Sequence, residues 1–382
     1  MEAHNASPTQ QIRIAVKVET SPTTTEPVNN VVVAEQHLIS QILIQFHAGY
    51  FRIGLSLCCQ AMLWKTLREG EDQGDSRITF HVYRMLPSTA FVLLWSVALF
   101  TTGTLSVVYL LRCLLHFEMV KAEFLDHIGV NYLFAPWISW LLLLQSSPFL
   151  SPKTFHYLIL WWVFTVPILA LDVKIYGQWF TKGKRFLSMV ANPTSQLSVI
   201  GNLAGSSAAA QMGWKEAALF LFSLGMAHYL VLFITLYQRL SGSSSIPTML
   251  RPVSFLFIAA PSMASLAWDS ISGTFDISSK MLFFLSLFLF LSLVSRPTLF
   301  KKSMRRYSVA WWAYSFPLSV LALASTRYAQ EVKGGVAHGI MLGLSALSVF
   351  VSLVLMLITA LNTNMLFPGS TSPSPYNSGS IE

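Results

Sequence analysis

A succession of long apolar segments, joined by short polar links, limits what this chain can become more than any other feature. YLILWWVFTVPILAL (157–171) and MLFFLSLFLFLSLV (281–294) are two of them. A helix needs about 20 mostly apolar residues to cross the hydrocarbon core. Inside that core each backbone amide must find its partner within the protein, which favours helices. Composition points the same way, with 53% hydrophobic and only 11% charged residues, where a soluble domain carries about 25% charged. A disordered protein, a secreted disulfide scaffold and an ordinary cytosolic enzyme are excluded. The expectation is an all-α polytopic membrane protein.

Ten spans are expected, near 45–67, 88–112, 131–149, 154–174, 193–212, 216–239, 248–268, 279–295, 308–330 and 336–363. They define a ten-helix membrane domain at 41–367, with disordered tails at 1–40 and 368–382. The fifth span, SQLSVIGNLAGSSAAAQMG (195–213), is polar enough to pass for a loop. No signal-peptide pattern precedes the first run. An even number of spans puts both tails on one side. With the N-terminus inside, sixteen of the 25 Lys and Arg fall on inner segments, leaving nine outside. The positive-inside rule therefore makes both termini cytosolic. The net charge of +8 follows topology, so nucleic acid is not an expected partner. Ser7-Pro8 and Ser21-Pro22 are candidate sites for a regulatory kinase, the equal alternative being an unmodified tail, and the sequon Asn5-Ala6-Ser7 falls in the cytosol.

The even spans are bulky and apolar, whereas the odd spans carry small and polar residues. Small residues let helices approach closely, and their hydroxyls need partners in protein or water. Proline frees a carbonyl that something else must satisfy. Gly201, Pro261 and Pro317 recur at intervals of about sixty residues in the fifth, seventh and ninth spans. This suggests repeated hairpins of one polar and one greasy helix. Five hairpins in a ring would place the polar helices around a central pore. Gly54, Ser56, Pro136, Ser198, Gly201, Asn202, Gly205, Pro261, Ser265, Pro317 and Ser319 are the candidates to line it. The same pattern also suits tight packing without a conduit.

Ionisable residues are almost absent from the spans. Asp172 and Lys174 sit at the inner end of the fourth, and Asp269 at the outer end of the seventh. His228, in the sixth, reads as a packed and hydrogen-bonded histidine. A proton-coupled pump usually needs such a group near mid-membrane, which disfavours active transport. A neutral conduit lined by hydroxyls in a basic protein suits anions. Lys182, Lys184, Arg185, Lys301 and Lys302 are candidates for a basic cytosolic mouth; the alternative is that they enforce topology and touch membrane lipid. Cys58, Cys59 and Cys113 read as small buried apolar residues. No cluster has metal-ligand spacing, so neither metal nor cofactor is expected. In SVAWWAYSFPLSVLALASTRYA (308–329), Phe316 directly precedes Pro317, whose kink can set its direction.

FRIGLSLCCQAMLWKTL (51–67), VNYLFAPW (130–137), KIYGQWF (174–180), ANPTSQLSVIGNLAG (191–205), AHYLVLFITLYQRL (227–240), FIAAPSMASLAW (257–268) and VAWWAYSFPLS (309–319) together resemble the plant slow-type (S-type) anion channels. Bacterial tellurite-resistance proteins and dicarboxylate transporters are more distant relatives. The resemblance covers about residues 42–367. It implies ten helices in five hairpins, an inner pentagon around a pore, a homotrimer with one pore per protomer, and the plasma membrane. It implies passive passage of chloride and nitrate without a cofactor, and it places an occluding phenylalanine at Phe316 of the ninth helix. The N-terminal tail is shorter than in the family's phosphorylated members and has no Arg-rich kinase motif, which resembles the short-tailed branch. Two alternatives remain beside a gated channel: a weakly conducting subunit that forms a heteromer with a longer-tailed homologous channel, and a secondary carrier of dicarboxylate or oxoanion. An enzyme is not expected, because no nucleophile–base or metal set appears among the spans.

Overall fold

The computed structural model describes residues 40–69, 88–181, 191–241, 252–297 and 308–362. Among them every regular element is helical. The main helices are α1 (Phe51–Glu69), α2 (Ser88–Leu115), α3 (Phe117–Leu125), α4 (Phe134–Ser146), α5 (Phe155–Thr181), α6 (Gln196–Gln211), α7 (Lys215–Ser241), α8 (Leu256–Ser272), α9 (Ile277–Val294), α10 (Trp312–Val332) and α11 (Gly335–Leu361).

Five of these close on one another. Helix α1 packs on α4, α4 on α6, α6 on α8, α8 on α10, and α10 back on α1. Each is also partnered by the next long helix in the chain: α2 on α1, α5 on α4, α7 on α6, α9 on α8 and α11 on α10. The ring helices are covered on all sides, and the sleeve helices turn apolar side chains such as Phe100, Val166, Phe220, Phe288 and Phe350 outward.

Each ring helix is led in by a short helical turn: Ala48–Tyr50, Gly129–Tyr132, Pro193–Ser195, Pro252–Phe255 and Val309–Trp311. Successive turns touch in the same circular order, and the last reaches α1. All five ring helices therefore begin at one end and run the same way. Local sequence explains the starts. Asn192 is extended, its side chain accepts the Thr194 amide, and the Ser195 hydroxyl completes a capping box with Pro193 at the first position. His47 caps the first turn through Nδ1, accepting the Gly49 amide at 3.0 Å.

By length and composition, seven helices can cross a membrane: α2, α5, α7, α9, α11, and α8 and α10 with their leading turns. The count is eight if α3 and Gly129–Ser146, bent by 104°, form one broken span. Helices α1 and α6 are not among them. They bury polar residues, Gln60 in α1 and Asn202 in α6, whose partners lie on neighbouring helices. The ten spans read from sequence thus stand at seven or eight on this criterion.

Helix α3 falls in what reads from sequence as a plain inner link. It exposes Phe117, Phe124 and Leu125 and turns Glu123 inward. Glu123 accepts the Ala48 amide at 2.8 Å and pairs with Arg112 at 3.2 Å, while Arg112 also donates to the Phe46 carbonyl. A buried ion pair thereby fastens the ends of α2 and α3 to the start of the first ring helix.

Candidate functional site

Helix α10 is buried along most of its length. Pro317 interrupts its amide ladder, and Phe316 before it is 1% exposed. The flanking turn is tied down on one side. Ser315 shares a 2.7 Å hydrogen bond with Ser352 of α11, and the Ser319 hydroxyl donates to the Ser315 carbonyl at 2.9 Å. The Gln60 amide of α1 reaches Ser319 at 2.8 Å, Ser348 at 2.7 Å and Ser352 at 2.7 Å. Ser56, one turn earlier, donates to the Trp312 carbonyl at 3.1 Å. A proline-broken helix thus has its neighbouring carbonyls and hydroxyls engaged by partners in two adjoining helices, as burial in a membrane requires.

Helix α8 repeats the device. Around Pro261, the hydroxyls of Ser262 and of Ser286 on α9 both donate to the Ile258 carbonyl, at 3.0 and 2.7 Å. Ser265 donates to the Ser279 carbonyl of α9 at 2.7 Å.

Helix α6 directs its polar side toward the sleeve. Ser198 bonds His228 of α7 at 2.6 Å, so that histidine is buried and hydrogen-bonded. Asn202 donates to Asp172 of α5 at 2.6 Å and to the Ser198 carbonyl at 3.0 Å. A Cβ on Gly201 would meet Ile168 of α5 at 3.3 Å, and one on Gly205 would meet Leu221 of α7 at 3.3 Å. Both glycines permit close helix approach. Gly54 of α1 does the same, since a Cβ there would lie 2.9 Å from the Thr102 hydroxyl of α2.

Of the eleven residues expected to line a pore, Ser198, Asn202, Gly205, Ser265 and Gly54 therefore have contacts with sleeve helices. Ser56 and Ser319 join ring helices to each other, and Gly201 packs between α4 and α5. Pro261 and Pro317 are buried inside ring helices, and Pro136 is half-buried in the first turn of α4, where its missing amide costs little. Lys182, Lys184, Arg185, Lys301 and Lys302 lie outside the described residues.

The sequence reading missed Gln60 as a hub and the Arg112–Glu123 clamp. Gln60 is a single amide in an otherwise apolar stretch, and only its burial at 2% exposure reveals that it must have partners. Glu123 sits among ordinary loop charges. Among the described residues no group of three or more His, Cys, Asp and Glu could hold a metal. The parallel helices set their positive dipole ends at the end of the ring formed by the leading turns.

Comparison with known proteins gives this arrangement a family. Residues 45–360 match the family described as voltage-dependent anion channel. The S-type anion channel SLAH1 of Arabidopsis thaliana is 56% identical over 94% of this chain and 92% of its own length. The guard cell S-type anion channel SLAC1 of the same plant is 42% identical over 85% of this chain and 58% of its own length. A tellurite resistance protein TehA homolog of Haemophilus influenzae is 26% identical over 76% of this chain and 83% of its own length. The family members are channels and not enzymes, and this multi-pass membrane chain belongs to that S-type anion channel family.

Proposed function

We propose that the chain is a passive, gated anion channel of the plasma membrane that passes chloride and nitrate along the axis of the helical ring. In this reading the ten long helices, all of the eleven but α3, cross the bilayer as five hairpins, with both termini cytosolic. Three copies assemble, each with its own pore. The carrying observation is the closed ring of five parallel helices, in which Phe316 is buried beside a proline that removes one amide from its own helix. Phe316 blocks the path until it is displaced, and a narrow apolar constriction of this kind also excludes water.

Several features suit an anion. The five helix N-termini converge on one mouth, and each contributes partial positive charge there. The links that carry Lys182, Lys184, Arg185, Lys301 and Lys302 lead in sequence toward the turns Pro193–Ser195 and Val309–Trp311 at that mouth. Basic residues there raise the local anion concentration. The carboxylate described within a ring–sleeve contact, Asp172, is engaged with Asn202.

Whole-cell recording with external chloride, then nitrate, tests the assignment. Phe316→Ala is expected to raise current severalfold at equal surface expression, with reversal near the anion equilibrium potential. An unchanged current in a well-folded Phe316→Ala protein sinks the gate. Silence of both proteins alone, with altered currents when a longer S-type channel is co-expressed, would make this chain a modulatory subunit of a heteromer. Saturable, pH-dependent dicarboxylate uptake without current would make it a carrier.

A further inference from the structure

We propose that Gln60 is the positioning residue of the Phe316 gate: its amide ties the turn flanking Phe316 to α1 and α11 and holds the phenylalanine in the blocking position. This rests on the reading of Phe316 as a gate.

The argument begins with hydrogen-bond arithmetic. The Gln60 Nε2 carries two hydrogens. Four acceptors lie within reach: Ser319 Oγ at 2.8 Å, Ser348 Oγ at 2.7 Å, Ser348 O at 3.1 Å and Ser352 Oγ at 2.7 Å. They belong to two helices, α10 and α11. The serines are also joined to one another. Ser348 donates to Ser319 at 3.0 Å, Ser315 shares a bond with Ser352 at 2.7 Å, and Ser319 donates to the Ser315 carbonyl at 2.9 Å. All five side chains are buried.

Two consequences follow. Ser315 immediately precedes Phe316, and Ser319 lies about one turn beyond it, so the network grips the gate-bearing turn from both sides. Pro317 sits inside that grip and removes one amide from the helix's own ladder. The turn is therefore held by Gln60 and the serines where its backbone holds it least. The second consequence concerns switching. With more acceptors than hydrogens, the amide keeps a partner on α11 when Ser319 leaves, so release costs the Ser319 contact but adds no unpaired buried donor. A single rigid bond would have to break outright, at the full cost of a buried unsatisfied group. An oversubscribed hub lets the gate-bearing turn release while the sleeve stays bonded. A merely structural polar contact, such as Ser265 to the Ser279 carbonyl, has one partner and no such reserve.

The test records current and surface expression for wild type, Phe316→Ala, Gln60→Met, Gln60→Glu and the double variant Gln60→Met/Phe316→Ala. Methionine is close in size and makes no strong hydrogen bonds. Gln60→Met is expected to raise current about tenfold, the shift given by losing roughly one net buried hydrogen bond from one of two states. Gln60→Glu replaces the donor by an acceptor: it cannot bond the Ser348 carbonyl and must take hydrogens from hydroxyls that already donate within the cluster, so it should raise current as Gln60→Met does. In the double variant, Gln60→Met should add nothing to Phe316→Ala, because the gate it positions is gone. If Phe316→Ala raises current and Gln60→Met does not, the positioning role is overturned and the gate stands. If Phe316→Ala changes nothing, the gate itself fails. An equal increase from Gln60→Met with and without Phe316 would place Gln60 outside the gate. Should Gln60→Met fail to reach the surface, Ser352→Ala removes the tie to Ser315 by deleting one hydroxyl, and the same outcomes apply to it.

Discussion

Helices α10 and α2 have similar lengths, and both satisfy the requirements for crossing a membrane, yet they are built oppositely. Along its most apolar part, Val309–Val332 is 89% buried within the protein, against 22% for Thr89–Leu115. The ring helix buries Ser315, Pro317, Ser319 and Ser325 against protein, while the sleeve helix, which also carries hydroxyls such as Thr102 and Ser106, turns Leu93, Phe100, Val107 and Leu110 outward. Lipid tails make no hydrogen bonds, so a helix facing them gains nothing from hydroxyls. A helix covered by protein can use them, provided each finds a partner. Polarity in these spans therefore reports protein neighbours. It does not by itself report water or a pore, and the direction of Ser198, Asn202 and Ser265 toward the sleeve makes that concrete.

The largest expected effect in this comparison comes from two glycines. A Cβ on Gly205 of α6 would lie 3.3 Å from Leu221 and 3.6 Å from Thr165, whereas one on Gly103 of α2 would meet nothing within 4 Å. Gly205→Leu should force α6 away from α5 and α7 and destabilise the protein by about 3 kcal/mol or more. Gly103→Leu should leave thermal stability in detergent unchanged or slightly raised. If Gly205→Leu instead folds normally and only blocks current, the residue lines the path and the packing account is wrong.

An intermediate effect is expected where ring and sleeve meet through charge. Asn202 supplies the hydrogen bond described to Asp172, and the other carboxylate oxygen, Oδ1, has no hydrogen-bond partner among the described residues. Asn202→Leu would leave the carboxyl without that donor in a buried site. A loss of about 1–2 kcal/mol is expected, the cost of leaving a buried polar group without its partner. Chemical or thermal denaturation in detergent, compared with Asn202→Asp, measures it. A neutral outcome would mean that the carboxyl finds another donor.

Much of this organisation is legible in the sequence. The alternation of polar and greasy spans sorts the same segments that the structure sorts into ring and sleeve, because a helix in lipid cannot carry many unpartnered hydroxyls. The prolines at 261 and 317 and the glycine at 201 do lie on ring helices. Two things were not legible. One was direction: a helix surrounded on all sides has no exposed face to break its symmetry, so periodicity cannot say whether Asn202 looks to the axis or to α5. The other was α3, whose nine residues in HFEMVKAEFLDH are too few to separate an amphipathic helix from a charged link. Its fold depends on Arg112, in the preceding helix, and on the Ala48 amide, which is distant in sequence.

The smallest expected effect lies outside the spans, in the link between a ring helix and its sleeve partner. Asp276 caps α9: its Oδ1 accepts the Ser279 amide at 3.0 Å, and its Oδ2 accepts the Trp268 indole of α8 at 2.9 Å. One carboxylate thus fixes the start of the greasy helix and the end of the polar one. Partial burial opposes its charge, but the Ser279 amide and the Trp268 indole outweigh that and hold the carboxyl below its ordinary range. A carboxyl lowered in the folded state contributes stability that is present above its unfolded value and lost as pH falls through the folded one. Asp276→Ala should therefore cost about 1 kcal/mol at neutral pH, the usual value of a lost N-cap. The gap between variant and wild type should close as the medium is acidified past the carboxylate range. Asp276→Asn should keep much of the cap and show less of this pH dependence. Thermal melts of the three proteins across that range decide the matter. A gap that stays constant with pH would mean that the loop's shape, and not the carboxylate's charge, joins α8 to α9.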